Sequence, residues 1–261
     1  MGSPVSVFGV AMVRDEVDII GPVVAHMLGQ VDHVIVADNL SVDGTFDVLE
    51  SFGSQITLVA DTDPAYRQSE KMTHLAGVAQ SMGADWVVPF DADEWIYSPH
   101  HDTITECLTI LDRYSIVESE LYNHLPTAVD PDDPNPIKSM GWRFRKPGQL
   151  PKVACRTDER LTIHMGNHGA DYGRFKGRTA RQILVTRHFP YRSPDQFVRK
   201  AVQGAEALRR TDLPESAGAH WRQYADLYEA QGEAALVGVF REWFWSAEPD
   251  TDPQLIFDPA P

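Results

Sequence analysis

The chain has 261 residues, 43% of them hydrophobic, and carries a formal net charge of −15 at pH 7. This length and apolar content can bury a large core, while the negative charge disfavours nucleic acid and anionic membrane surfaces as partners. Two cysteines are too few for a disulfide framework or for a structural zinc site of their own. The start of the chain lacks the basic and apolar regions of a signal peptide, and no apolar run is long enough to span a bilayer. We therefore expect a cytoplasmic protein with no integral membrane segment.

Buried strands alternate with helices over the first hundred residues. Nearly continuous apolar runs predict strands over Val5–Met12, Val31–Asn39, Ile56–Asp61 and Ala84–Trp95. Helices are predicted between them, over residues 14–30, 41–53 and 68–82, and the first of these has apolar residues at helical spacing. This alternation predicts the α/β class, with a mostly parallel sheet flanked by helices.

The pattern changes after residue 100. An acidic, proline-rich loop and short irregular strands come first, and helices begin at Pro194 with the sequence PDQFVRKAVQGAEALRR. We predict one domain over residues 1–193 and a helical C-terminal part over residues 194–261 that packs on the same domain.

Residues that could contact a ligand fall where the predicted strands end. They are Met12–Arg14, Asp38 with Asn39, Asp61, and Asp91–Asp93. In parallel sheets the ligand lies beyond the carboxyl ends of the strands, so these residues are expected to share one site. Asp91, Asp93 and Glu94 repel one another, and a divalent cation, a ribose hydroxyl or backbone N–H groups are candidates to offset that cost.

Three segments in this order carry a family resemblance. RDEVD after the first strand, DNLSVDGT after the second and DADEW after the fourth together resemble family-2-type glycosyltransferases of the GT-A (Rossmann-like) fold. The similarity covers roughly residues 5–97, and RHFPYRSPDQFVRKAVQG also resembles the C-terminal segment of that subgroup.

The resemblance implies a nucleotide diphosphate sugar as donor and Mn²⁺ or Mg²⁺ as cofactor. The expected metal ligands are Asp91, Asp93 and His188. The expected donor-binding residues are Met12, Arg14, Glu16, Asp38, Asn39, Gln68, Lys71, Asp91, Ala92 and Asp93. Asp38 is expected to meet the base, since a carboxylate accepts the N–H of uracil or guanine. By contrast, Asp43, Gly44 and Thr45 suit a structural turn and a helix cap.

The resemblance identifies the catalytic residues less directly than the donor-binding residues. We name Asp91, Asp93, Glu94 and His168 as candidates. Many inverting relatives carry a later Asp or Glu as general base, and this chain offers no clean equivalent. The remaining acids are Glu118, Glu120, Asp158, Glu159, Asp171 and Asp195, and Lys152 and Arg156 are candidates for phosphate or acceptor contacts.

The resulting expectation is a metal-dependent glycosyltransferase whose acceptor is a small molecule, a glycan or a peptide, with a homodimer as a possible assembly. A haloacid-dehalogenase-type phosphohydrolase is an alternative, because FDADE resembles its motif, but Trp95 stands where that motif has Thr or Val. A sugar nucleotidyltransferase would need a glycine-rich loop after the first strand, which VAMVRDEVD lacks. A non-catalytic nucleotide-sugar-binding module stays open.

Overall fold

A computed structural model describes residues 5–261 and confirms the α/β class, with a helical C-terminal part. Within these residues the strands are β1 (Val7–Val13), β2 (His33–Asp38), β3 (Ile56–Ala60), β4 (Trp86–Pro89), β5 (Glu94–Tyr97), β6 (Ile116–Asn123), β7 (Trp142–Phe144), β8 (Lys152–Arg156), β9 (Leu161–Ile163), β10 (Ala170–Tyr172), β11 (Thr179–His188) and β12 (Leu255–Phe257). The α-helices are α1 (Ile20–Gln30), α2 (Thr45–Glu50), α3 (Gln68–Ser81), α4 (Ile104–Thr109), α5 (Pro136–Ser139), α6 (Pro194–Arg209), α7 (Ala219–Gln231) and α8 (Glu233–Trp243).

The main sheet has eight strands in the order β3-β2-β1-β4-β8-β6-β11-β5. The first four are parallel, as the strand–helix alternation predicted. Beyond β4 the sheet is antiparallel where β8 meets β4 and β6, and where β5 meets β11. The sheet is thus mixed, and its parallel half carries the strand ends singled out in the sequence.

Helix α1 covers the sheet through the face that its sequence predicts. Ile20, Val23, Val24 and Met27 repeat at helical spacing and are all fully buried. The predicted turn before α2 is also present: Oδ1 of Asp43 accepts hydrogen bonds from the N–H and the hydroxyl of Thr45. Gly44 between them has a φ of 104°, which glycine adopts without strain.

The strand predicted over Ala84–Trp95 is divided in two. β4 ends at Pro89, and β5 begins at Glu94. Between them the N–H of Glu94 bonds to the carbonyl of Asp91, and the N–H of Asp91 bonds to Oε2 of Glu94. The acidic motif therefore forms a closed turn that sends the chain from one part of the sheet to another.

The chain divides into two compact units. The first comprises the chain up to Thr62, Gln68–Tyr122 and Pro147–His188, and the second comprises 63–67, 123–146 and 189–261. The second unit thus takes in three segments of the domain that we predicted to run to residue 193, namely 63–67, 123–146 and 189–193. In this unit, α6 begins as the sequence predicted, with Oγ of Ser193 accepting the N–H of Gln196 at 3.2 Å. None of the helices in the described part of the chain is long and apolar enough to cross a membrane.

Candidate functional site

The carboxyl ends of β2 and β4 flank that of β1 in the first unit. In the β1–β2 pair, Val13 is opposite Asp38. In the β1–β4 pair, Val10 is opposite Pro89, and Asp91 follows two residues later. Because neighbouring strands lie about 4.8 Å apart, β2 and β4, which lead to Asp38 and Asp91, are separated by two strand spacings, or about 10 Å.

Asp91 and Glu94 share one buried counter-ion, Lys152 of β8. Its Nζ lies 2.5 Å from Oδ2 of Asp91 and 2.7 Å from Oε1 of Glu94, and donates to the carbonyl of Gly166 at 2.8 Å. The contacts with Asp91 and Gly166 are hydrogen bonds, whereas the contact with Glu94 is an ion pair that lacks hydrogen-bond geometry. The repulsion within the acidic motif is offset by a lysine of the chain itself. Lys152 is 3% exposed, and its contact with a phosphate or an acceptor stays a prediction.

The protonation of this cluster follows from its burial. Burial raises the pKa of Glu94 to about 7, although the charge of Lys152 opposes the shift. Burial acts to lower the pKa of Lys152, but the charges of Asp91 and Glu94 outweigh it and raise that pKa. The lysine is therefore permanently charged, while Glu94 is the member of the cluster that responds to pH near neutrality.

The second carboxylate oxygen of Asp91 is engaged as well. Oδ1 accepts hydrogen bonds from Nδ2 of Asn167 at 3.1 Å and from Nε2 of Gln68 at 3.2 Å. Gln68 in turn accepts the N–H of Gly166 at 2.7 Å. Gln68 was expected at the site from the sequence. Asn167 was not, although it lies in the glycine-containing segment HMGNHG.

Asp93 lies beside His188. Antiparallel pairing of β5 with β11 sets Glu94 opposite His188, and Nε2 of His188 lies 3.5 Å from Oδ1 of Asp93. A cation bound at about 2.0–2.2 Å to one carboxylate oxygen and one imidazole nitrogen would hold those atoms about 3–3.5 Å apart, so this pair fits two ligands of one metal ion.

The three-residue metal set predicted from the sequence is not assembled. Among residues 5–261, no group of three or more His, Cys, Asp or Glu side chains is arranged to hold a metal ion. The two oxygens of Asp91 bond to Lys152, Gln68 and Asn167, and its contact with a metal ion stays a prediction. Asp93 and His188 stay together as a pair.

Asp38 presents an unsatisfied oxygen at the end of β2. The residue is 7% exposed, and its Oδ2 accepts the N–H of Ser41 at 3.2 Å. Its Oδ1 is buried, and no group in the described chain bonds to it. A buried acceptor without a donor costs about 1–3 kcal/mol, so a ligand that supplies an N–H here would recover that free energy.

Asn39 and Lys71 meet at the neighbouring strand end through Asp61. Nδ2 of Asn39 donates to Oδ2 of Asp61 at 2.9 Å, and Nζ of Lys71 lies 2.6 Å from the same oxygen. The sequence placed all three residues at the ligand edge, and the structure links them into one polar group. Their contact with a donor stays a prediction.

The other residues expected to bind the donor lie after β1 or inside the acidic motif. Met12 packs against the core, Ala92 is buried, and the N–H of Glu16 bonds to Oγ1 of Thr45 at 2.8 Å. Arg14 is 3.7 Å from Oδ2 of Asp15 and has a buried Nε to which no described residue bonds. Of these residues, only Arg14 presents an unsatisfied buried donor.

His164 and His168 lie in one loop of the first unit but have different surroundings. Nε2 of His164 lies 2.9 Å from Oδ2 of Asp171, and both side chains are about half exposed. Nδ1 of His168 bonds to the carbonyl of Pro151 at 2.8 Å. Arg156, another candidate from the sequence, donates to the carbonyl of Tyr114 and so has a structural partner.

Comparisons with known proteins add structural similarities only. No family model matches the chain, and no curated protein matches it. Among solved structures, S. aureus TarS 1-349 in complex with UDP is similar with a TM-score of 0.44 and 12% identity, over 88% of this chain and 73% of that one. A mycobacterial protein has a TM-score of 0.43 and 15% identity, over 81% and 76%. Glucosyl-3-phosphoglycerate synthase from Mycobacterium tuberculosis, in complex with Mn²⁺, UDP and phosphoglyceric acid, has a TM-score of 0.31 and 17% identity, over 44% and 43%. Similarities this distant carry no argument about activity.

Proposed function

We propose that the protein is a glycosyltransferase that moves a sugar from a nucleoside diphosphate to an acceptor hydroxyl. The observation that carries this proposal is the buried, unsatisfied Oδ1 of Asp38 at one strand end, two strand spacings from the acidic motif that contains Asp93. The unsatisfied Oδ1 of Asp38 could accept an N–H of a nucleobase. The pairing of Asp93 with His188 suits a cation that binds a diphosphate. The resemblance of the three sequence segments to family-2-type glycosyltransferases supports the same function.

Asp38 would recognise the base. Its free oxygen accepts a hydrogen bond, so it selects a base with an N–H donor on the recognised edge, such as uracil or guanine. Cytosine lacks the ring N3–H of uracil, so a carboxylate placed to accept that N–H would bind cytosine less tightly. The donor is therefore expected to be a uridine, thymidine or guanosine diphosphate sugar rather than a cytidine derivative.

Asp93 and His188 would hold Mn²⁺ or Mg²⁺, with the diphosphate of the donor among the remaining ligands. When bound, the ion would stabilise the negative charge of the leaving nucleoside diphosphate. Asp91 is oriented by Lys152, Gln68 and Asn167, and its side chain is 28% exposed. We assign it to a hydroxyl of the donor rather than to the cation.

The phosphohydrolase alternative is not favoured by the surroundings of the motif. The indole of Trp95, which replaces the Thr or Val of that motif, stacks on the ring of His26 with centroids 3.7 Å apart. It is thus a packing residue of β5. A non-catalytic module would bind a donor sugar nucleotide without consuming it. Measured turnover of a donor would therefore exclude this alternative.

The test is a thermal-shift panel of UDP, GDP, dTDP and CMP, each with and without Mn²⁺, on the wild type and Asp38→Asn. We expect a stabilising shift from at least one of the first three nucleotides, larger with Mn²⁺, and a reduced shift in Asp38→Asn. A ligand at 100 times its Kd adds about 2.7 kcal/mol to the free energy of unfolding, which such a panel detects. Hydrolysis of UDP-glucose, GDP-mannose and dTDP-glucose is followed in parallel. Absence of both nucleotide binding and turnover would overturn the proposal.

A further inference from the structure

The sequence offers no clean equivalent of the acidic general base of many inverting relatives, and four of the candidate acids in the first unit have partners of their own. Glu118 is bound by Arg181, Asp158 by Arg160, and Asp171 by His164. The hydroxyl of Tyr122 donates to Glu120. The chemistry of the site points instead to a histidine.

The His168 ring is held in one tautomer. A backbone carbonyl can only accept, so the Nδ1 that bonds to Pro151 must carry the proton. In the neutral ring, Nε2 is then the unprotonated nitrogen. In the described chain no group hydrogen-bonds to this nitrogen, and it is not among the buried unsatisfied atoms. It is therefore open to receive a proton from a ligand.

We propose that Nε2 of His168 takes the proton of the acceptor hydroxyl, an inference that rests on the proposed glycosyl transfer. The acceptor O–H bond breaks, and its proton goes to Nε2. The oxygen forms a bond to the anomeric carbon of the sugar as the bond from that carbon to the diphosphate oxygen breaks. The electron pair of the broken bond leaves with the nucleoside diphosphate. Direct displacement of this kind inverts the configuration at the anomeric carbon.

The loop that carries His168 is tied directly to the acidic cluster. Lys152 donates to the carbonyl of Gly166, Gln68 accepts the N–H of Gly166, and Asn167 donates to Asp91. Asn167 is fully buried and has a φ of 56°, a left-handed conformation that costs free energy unless its surroundings hold it. The network thus fixes His168 relative to the groups assigned to the donor.

Gly166 provides the space that the His168 ring occupies. A Cβ atom at Gly166 would lie 2.3 Å from Cδ2 and 2.5 Å from Nε2 of His168, and Gly166 itself has a φ of 75°. Any larger residue would strain the backbone and push the ring away. The glycine at position 166 therefore allows the backbone of this segment to lie close to the His168 imidazole.

The electrostatic surroundings keep the ring neutral. Burial lowers the pKa of His168, and the charge of Lys152 lowers it further, whereas the bond to Pro151 and the charge of Asp91 raise it. His188 also lowers the pKa, and α3 presents the neutral Gln68 to the loop. A neutral imidazole near pH 7 is the form that a general base requires.

The experiment uses the full chain with Mn²⁺ and whichever of UDP-glucose, GDP-mannose and dTDP-glucose the wild type hydrolyses fastest, with water as the acceptor. His168→Gln is compared with His164→Gln, a matched histidine of the same loop. Loss of a general base typically lowers the rate by 10²–10⁴-fold, so we expect kcat to fall by about 100-fold or more in His168→Gln and by less than about threefold in His164→Gln. Affinity for the nucleoside diphosphate, measured by calorimetry, should be the same in both.

Three further readouts separate a base from a structural residue. The wild-type kcat should fall at low pH as His168 becomes protonated, and this limb should be absent in His168→Gln. Added imidazole should restore turnover to His168→Ala, whose fold is checked by circular dichroism. The sugar first released, examined by NMR before mutarotation, should have the inverted configuration.

The outcomes distinguish the two proposals. If the wild type turns over a donor but His168→Gln keeps its kcat and pH profile, or the released sugar retains its configuration, His168 is not the base and glycosyl transfer stands. If the wild type neither binds nor hydrolyses any donor, the proposed function fails, and this inference fails with it.

Discussion

Nζ of Lys152 lies 2.5 Å from Oδ2 of Asp91 because the register of two neighbouring strands brings these residues together. β4 and β8 are antiparallel, with Val87 opposite Cys155. Continued by three residues, this register sets Lys152 opposite Phe90, next to Asp91. The sheet register therefore fixes the position of this counter-ion beside the acidic motif.

Lys152→Met should strongly destabilise the protein. It leaves the buried carboxylate of Glu94 and the partly buried carboxylate of Asp91 without their shared counter-ion, and loss of one partner from a buried ion pair costs about 3–5 kcal/mol. Urea unfolding at pH 8 in the presence of a chelator measures this loss. The added substitution Glu94→Gln should recover part of it, because it removes one of the two charges.

The control for Lys152→Met is Arg181→Met. Arg181 also pairs with a glutamate, Glu118, at 2.7 Å, but its side chain is 71% exposed. Exposed pairs contribute little to stability, so this variant should unfold like the wild type. Equal effects of the two substitutions would mean that Lys152 is not a buried counter-ion.

The stability of the metal-free protein should fall as the pH rises from about 4.5 to about 7. Burial raises the pKa of Glu94 from the ordinary value of 4.5 to about 7, so in this range the folded protein holds a proton that the unfolded chain has lost. The contribution of Glu94 is complete below the unfolded pKa and is lost as the pH passes the folded pKa. Urea unfolding across this range measures the slope, and Glu94→Gln should flatten it. An equally steep slope in that variant would assign the effect to other groups.

The sequence predicted the parallel half of the sheet well because its determinants are local. The buried runs of β1, β2 and β4 and the helical spacing in α1 need no knowledge of distant residues. The placement of Asp38 and Asp91 at one sheet edge followed from the general geometry of parallel strands.

The partners of the acidic motif could not be predicted in the same way. Lys152 is 61 residues from Asp91, and Asn167 is 76 residues from it. Both reach Asp91 through antiparallel pairing and a loop whose register has no local signal in the sequence. A lysine of the chain pairs with Asp91 and Glu94, which the sequence analysis did not anticipate, and a cation at Asp93 stays a proposal.

Asp38→Asn should weaken binding of the favoured nucleoside diphosphate while the fold is kept. The amide oxygen can still accept the N–H of Ser41, but an NH₂ group replaces the buried Oδ1 and opposes an N–H of the base. A hydrogen bond to a charged group contributes about 1.5–3 kcal/mol, which corresponds to an affinity loss of about 10-fold to 150-fold by calorimetry. Asp43→Asn, which alters an acid of the nearby helix cap, is the control. Unchanged affinity in Asp38→Asn would exclude base recognition by this residue.

His188→Ala should lower donor turnover and reduce any preference for Mn²⁺ over Mg²⁺. Imidazole nitrogen favours the transition metal, whereas Asp93 and a diphosphate supply oxygen ligands that serve either ion. Removal of the nitrogen, which lies 3.5 Å from Oδ1 of Asp93, should therefore cost more activity with Mn²⁺ than with Mg²⁺. The ratio of kcat/KM with the two ions measures this effect, and His164→Ala, which removes an imidazole paired with Asp171, should leave it unchanged.

Asp93→Asn should lower turnover with both ions, because it replaces a charged ligand by a neutral one. An unaltered ratio in His188→Ala, together with wild-type turnover by Asp93→Asn, would mean that this pair does not hold the cation.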